Sequence, residues 1–201
     1  MSATSVSSAS LLSLRLLDPA RTLTRTNADD LPFALSEKGV RTWGDFAVAV
    51  NNWREAFSDA GIDSVALYFT DLFDLSSALF GAWTAGVRAI LPADATQATC
   101  ARLTQLTGAF AGEFEPEHIA GVRILSAADT KTPCREQIDA SRELIALFTS
   151  GSTGEPTLIT KRLSQLFCEV PAIEVRRPEA HLQELPQNTV ILTTVPAQHI
   201  Y

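Results

Sequence analysis

Between Leu144 and Pro156 the chain changes character abruptly. Leu144 to Phe148 is a continuous apolar run, the pattern of a strand buried on both faces. It empties into Thr149-Ser150-Gly151-Ser152-Thr153-Gly154-Glu155-Pro156, whose first six residues are all glycine or small hydroxyl residues. Such a loop leaves backbone N–H groups unobstructed and adds four hydroxyl donors, Thr149, Ser150, Ser152 and Thr153. Proteins hold phosphates in this way: glycine permits close approach, and oriented amides and hydroxyls face the anion. A flexible Ser/Gly hairpin turn has the same composition, and composition alone does not separate the two readings.

Other phosphate and nucleophile motifs do not fit these residues. A Walker loop needs Gly-Lys five residues after its first glycine, and that count from Gly151 reaches Pro156. A dinucleotide fingerprint needs three spaced glycines, and only Gly151 and Gly154 are present. A nucleophile elbow needs glycines two before and two after its serine; around Ser152 those positions hold Ser150 and Gly154. Elsewhere, His118 lies beside Glu115 and Glu117, which suggests a metal, but acidic residues opening a helix after Pro116 explain the pattern better. Cys100, Cys134 and Cys168 are equally spaced, yet their flanks share nothing and none forms a CxxC, so they read as buried or incidental thiols.

The elements that must position the loop alternate. Residues 1–30, rich in Ser, Thr and Ala, form a weakly structured lead-in, and residues 31–201 an α/β region. Thr42 with Asp45 makes a capping-box pair, and Trp43, Phe46, Val50, Trp53 and Phe57 describe one helical stripe closed by Gly61. Val65–Phe69 is a buried strand, followed by a helix over Leu75–Ala85 that Asp71 or Asp74 caps, and by a strand over Val87–Leu91. Small residues at Ser76, Ser77, Ala78, Gly81, Ala82 and Ala85 let that helix lie close on a sheet. Strand, helix and strand in so short a span make a parallel βαβ unit. A helix at Gln97–Leu106 and a strand at Val122–Leu125 continue the alternation. After Leu158-Ile159-Thr160, Lys161-Arg162 leads toward a helix, and a last strand is expected at Thr189–Thr194. The fold class is α/β, a mostly parallel sheet flanked by helices.

Composition narrows the function. The 201 residues are 46% hydrophobic with a net charge of −7, enough apolar material for a core and no basic block for nucleic acid. The longest uncharged stretches fall short of the roughly 20 apolar residues of a membrane span. No basic residue precedes the first short apolar run, so the N-terminus lacks the charge order of a secretory signal and a cytoplasmic protein is expected.

Taken together, Phe148-Thr149-Ser150-Gly151-Ser152-Thr153-Gly154-Glu155-Pro156 resembles the signature loop of the adenylate-forming (AMP-binding) superfamily, which includes acyl- and aryl-CoA synthetases. Two further stretches agree. Ser77 to Pro92 resembles the family's small-residue helix and the strand ending in proline, and Pro196-Ala197-Gln198-His199 resembles a Pro-x-x-His segment bordering the acyl pocket. The resemblance implies the N-terminal part of that family's large domain. It implies phosphate contacts for Thr149, Ser150, Gly151, Ser152, Thr153 and Gly154, with ATP and Mg²⁺ as cofactors and the metal ligands mostly outside this chain. A carboxylic acid would be activated as its acyl-adenylate and passed to the thiol of CoA or of an acyl carrier protein's phosphopantetheine. His199 would line the acyl pocket or gate the thiol channel; a hydrogen-bonded histidine at a strand end is its plainer reading.

One departure stands out. The family usually has lysine after Pro156, where this chain has Thr157. Either the grip on the γ-phosphate is weaker, or Lys161 reaches the same region. Family members are several hundred residues long, so the resemblance also implies that these residues alone do not complete turnover. It implies apolar surface left exposed and open to homodimerisation. The alternative is a scaffold or interaction module that kept the fold without the chemistry.

Overall fold

The computed structural model describes residues 23–24, 29–36, 39–119, 121–149 and 157–166. Most of the expected lead-in, the loop 150–156, Cys168, the expected strand Thr189–Thr194 and His199 lie outside these residues.

Two short strands open the described chain, β1 (Pro32–Ser36) and β2 (Gly39–Thr42), paired antiparallel with Leu35 opposite Val40. Helix α1 (Trp43–Ala60) starts where its capping box requires. The Asp45 N–H donates to Thr42 Oγ1 at 3.1 Å and the Thr42 N–H donates to Asp45 Oδ2 at 2.9 Å. It ends at Gly61, whose left-handed φ of 61° suits a residue without Cβ.

The remaining elements are β3 (Ser64–Tyr68), α2 (Leu72–Thr84), β4 (Arg88–Leu91), α3 (Gln97–Leu103), β5 (Ala109–Gly112), β6 (Arg123–Leu125), β7 (Ile145–Thr149) and β8 (Thr157–Lys161). Strands β3 to β8 form one sheet in the order β6-β5-β3-β4-β7-β8, parallel except for the last pair. Expected and observed elements differ at their ends for local reasons. Helix α2 begins at Leu72 rather than Leu75 because Asp71 Oδ1 accepts from the Phe73 and Asp74 N–H groups at 2.8 and 3.2 Å. Helix α3 stops at Leu103 rather than Leu106, where the chain turns through Thr104 to Leu106.

Chain direction explains which face each helix covers. From β3 to β4 the chain steps one way along the sheet, and from β4 to β5 it steps back past β3. Right-handed crossovers then put the two helices on opposite faces. Side chains agree with this. Val65, Leu67, Ala89, Leu91, Ile145 and Leu147 pack with residues of α1 and α2 in the larger core. Their strand neighbours Ala66, Ile90, Phe110 and Ala146 pack with Cys100 and Leu103 of α3. All these strand residues are buried, which is why the strands read as continuous apolar runs.

Small residues in α2 serve two purposes. Ala78 and Ala82 are fully buried in the larger core. Gly81 faces α1: a Cβ there would lie 2.5 Å from Trp53 Cβ and 3.1 Å from the Val50 carbonyl oxygen. Its absence lets the two helices approach to backbone distance. The long connection from β6 back to β7 crosses the same face, held to α1 by Thr130 on Asn52 Oδ1 and by the Cys134 N–H on the Ala47 carbonyl.

Candidate functional site

The candidate loop is framed by the β7–β8 hairpin. Thr149 pairs with Thr157, Phe148 with Leu158 and Ile145 with Lys161, so residues 150–156 join the two strands at the carboxyl edge of the parallel sheet. Phe148 and Leu158 share one face and pack against the core beneath α3, which seats the base of the hairpin. The register separates the two predicted groups of phosphate contacts. Lys161 stands at the amino edge, four residues along β8 from Thr157, which is about 13 Å of strand. The backbone of Thr149 is thus at the loop, and Lys161 is not brought to it.

Topology marks this edge as a place for a ligand. After β4 the chain turns toward β5, and after β7 it turns the other way to β8. Connections that diverge from adjacent strands leave a crevice outside their carboxyl ends, the usual ligand position in open α/β sheets. The same divergence occurs between β3, which leads to β4, and β5, which leads to β6.

Two carboxylates brace that rim. Asp94, just beyond β4, accepts from the Thr96 N–H at 3.0 Å and from the hydroxyls of Thr96 and Thr99 at 2.8 and 2.6 Å. Glu113, just beyond β5, accepts from the Thr70 N–H at 3.1 Å and from its hydroxyl at 2.9 Å, tying the exits of β3 and β5 together. Gly112 lets those exits meet: with φ at 110°, a Cβ there would sit 2.0 Å from the Tyr68 carbonyl oxygen. Neither carboxylate is among the candidates read from sequence. Asp94 carries a local signal, hydroxyl residues two and five positions later. Glu113 carries none, since its partner is 43 residues away.

The hydrogen bond from the Thr99 hydroxyl outweighs the opposing effect of burial and, joined by those from the Thr96 hydroxyl and N–H and by the Arg102 charge, holds the Asp94 carboxyl below its ordinary range. A depressed folded-state pKa gives stability that is present above the unfolded value and lost as pH falls through the folded one. Replacement of Asp94 by asparagine is therefore expected to lower stability near pH 7, with the gap to the parent closing below about pH 4. Urea unfolding at pH 7 and pH 3 checks this; a gap of equal size at both would assign the effect to lost packing.

The other sequence candidates within the described residues, His118, Cys100 and Cys134, have structural roles. His118 closes a 3₁₀ turn at Pro116–His118, and its Nδ1 lies 3.2 Å from the Ala95 carbonyl oxygen. Among the described residues no group of three or more His, Cys, Asp or Glu side chains could hold a metal ion. The magnesium implied by the resemblance therefore finds no ligand set there. Cys100 and Cys134 are buried, and burial pushes both thiols up, the opposite of a reactive cysteine. Among the described residues no helix is long and apolar enough to cross a membrane.

No family model matches the chain, and no curated protein matches it. Solved structures do match. O-succinylbenzoate coenzyme A synthetase (MenE) from Bacillus subtilis, in complex with ATP and magnesium ion, is 17% identical with a TM-score of 0.61, over 85% of this chain and 37% of that one. Apo MatB from Rhodopseudomonas palustris is 12% identical with a TM-score of 0.63, over 77% and 36%. A benzoate CoA ligase from Burkholderia xenovorans LB400 is 15% identical with a TM-score of 0.59, over 85% and 36%. This chain spans little more than a third of the length of these structures. Its doubly covered, mostly parallel sheet has the fold of the α/β N-terminal domain of adenylate-forming enzymes.

Proposed function

We propose that the chain is the N-terminal part of an ATP-dependent acid–thiol ligase, with Thr149 to Gly154 as its phosphate-binding loop. The observation that carries this is the coincidence of two independent features. A loop of glycines and hydroxyl residues resembling the adenylate-forming signature leaves β7 at the carboxyl edge, where the sheet's connections diverge. The neighbouring synthetases with ATP and magnesium ion, or with an acyl-adenylate, bound support the reading at the level of the fold.

In this reading the amides and hydroxyls of residues 149–154 hold the β- and γ-phosphates of ATP. The carboxylate oxygen of the acid attacks the α-phosphorus, an acyl–phosphate bond forms, and pyrophosphate leaves with the charge that the loop stabilises. The thiol of CoA or of a carrier protein's phosphopantetheine then attacks the acyl carbon and displaces AMP. The rim around the loop is braced rather than cationic: Asp94 and Glu113 are occupied in holding the strand exits, and Lys161 is at the other edge. In this reading the grip on phosphate falls to the loop's backbone amides and hydroxyls, and the ligands of Mg²⁺ lie mostly outside this chain. His199 remains a proposed acyl-pocket residue. Because the chain spans little more than a third of such synthetases, complete turnover by residues 1–201 alone is not expected.

Pyrophosphate exchange into ATP tests the reading in the full-length protein. Exchange that appears only when a carboxylic acid is added, across a panel of fatty, aryl and amino acids, is the expected result. No exchange with any acid, together with no effect of ATP on melting temperature, would favour a scaffold that kept only the fold.

A further inference from the structure

The opposite edge of the sheet has a chemistry of its own. A cavity of about 450 Å³ opens there among Asp63 before β3, Gly86 and Arg88 at the start of β4, Arg142 and Glu143 before β7, and Arg162 after β8. Three arginines from three separate segments therefore line one hollow that is open to solvent. Two are held in place by main-chain oxygens: Arg88 Nε donates to the Glu143 carbonyl at 3.1 Å and Arg142 Nη2 to the Gly86 carbonyl at 2.9 Å. Arg142 lies so close over Gly86 that a Cβ there would come within 2.2 Å of Nη1, and the φ of 72° at Gly86 also suits glycine. The guanidinium rests where Gly86 has no side chain, and the left-handed backbone there is what favours glycine.

None of the three is ion-paired with a carboxylate among the described residues. Each guanidinium has five N–H donors, so these anchors leave most of them unused. Asp139, the nearby acid that Arg142 influences, is already occupied: the Ser141 hydroxyl and N–H donate to its Oδ1 at 2.6 and 3.0 Å. Asp63 and Glu143 bring acceptors to the same wall. The two anchored guanidiniums, Arg88 and Arg142, with N–H groups to spare match the oxygens of a phosphate group, while neighbouring carboxylates match hydroxyl hydrogens.

We propose that this cavity binds a phosphate monoester bearing hydroxyl groups, with Arg88, Arg142 and Arg162 on the phosphate and Asp63 and Glu143 accepting from the hydroxyls. The site is separate from the candidate loop, lying the length of β7 away at the amino edge. It does not depend on the ligase reading.

Calorimetric titration of the 201-residue chain with ribose 5-phosphate, inorganic phosphate and ribose tests it. Saturable binding of ribose 5-phosphate is expected, weakened about tenfold or more in Arg142→Gln and in Arg88→Gln and unchanged in Lys131→Gln, a surface residue outside the cavity. Ribose alone is expected not to bind. Tighter binding of ribose 5-phosphate than of inorganic phosphate supports the monoester. Equal binding of the two, lost in the arginine variants, would overturn the hydroxyl contacts and leave a free-phosphate site. Absence of binding, or binding that survives both arginine substitutions, would overturn the proposal as a whole. Melting curves confirm that each variant folds, and the two independent arginines guard against a failure of one.

Discussion

Replacing Phe46 by alanine is expected to destabilise the protein by about 3–5 kcal/mol, the range for truncating a fully buried aromatic. Phe46 is 1% exposed and stacks on Phe33 with ring centroids 4.2 Å apart. Trp43, Phe73 and Phe80 meet it edge-on at 5.9, 6.2 and 5.4 Å. Those rings come from β1, α1 and α2, so one side chain joins the N-terminal hairpin to the helical layer. Edge-to-face geometry adds to the area term, and the hollow left by a lost ring cannot collapse while four other rings hold its walls. Urea unfolding measures the loss. Hydrogen exchange adds a second readout, since amides of β1 and β2 should lose protection before those of β3. A cost below about 1.5 kcal/mol would show that the cluster repacks around the gap.

The second large effect concerns chemistry. Thr153→Ala removes a hydroxyl donor from the proposed phosphate loop. If the loop stabilises the departing pyrophosphate, acid-dependent pyrophosphate exchange by the full-length protein should fall about 10²-fold, the usual consequence of losing one preorganised donor. The melting temperature without ATP should stay where it was, and the rise produced by ATP should shrink. An unchanged exchange rate would remove Thr153 from the site. A fall in intrinsic stability of the same size as the fall in rate would assign it a structural role.

Local chemistry accounts for the elements that are legible in the sequence. Thr42 and Asp45 lie three apart and cap each other, so the start of α1 needs no tertiary information. The β3–α2–β4 unit is visible because both strands are apolar throughout and the helix between them has its own cap at Asp71. Strand β5 has no such mark. Ala109-Phe110-Ala111-Gly112 has small residues and a flanking glycine, and it becomes a strand because β3 and β6 pair on either side of it. The β1–β2 hairpin is equally hidden. Leu35 and Val40 are each more than half exposed, so neither strand shows an apolar face that marks it from sequence.

The site divides in the same way. The loop's composition is local and readable, as is its exit from an apolar strand. Where its neighbours stand is not, because strand order arises from pairings between distant residues. Lys161 is the clearest case. In sequence it lies only a few residues beyond the loop, and the antiparallel register of β7 and β8 carries it to the other edge.

That register also bears on the entropy of the proposed site. Thr149 and Thr157 face each other across an antiparallel ladder, so the ends of residues 150–156 are held about 5 Å apart by strands that are themselves part of the sheet. The entropy of bringing those ends together is lost when the sheet folds, long before any ligand arrives. For a ligand at the proposed loop, that share of the ordering cost is already met by the sheet, so a substitution that loosens β8 should weaken binding without removing a single contact.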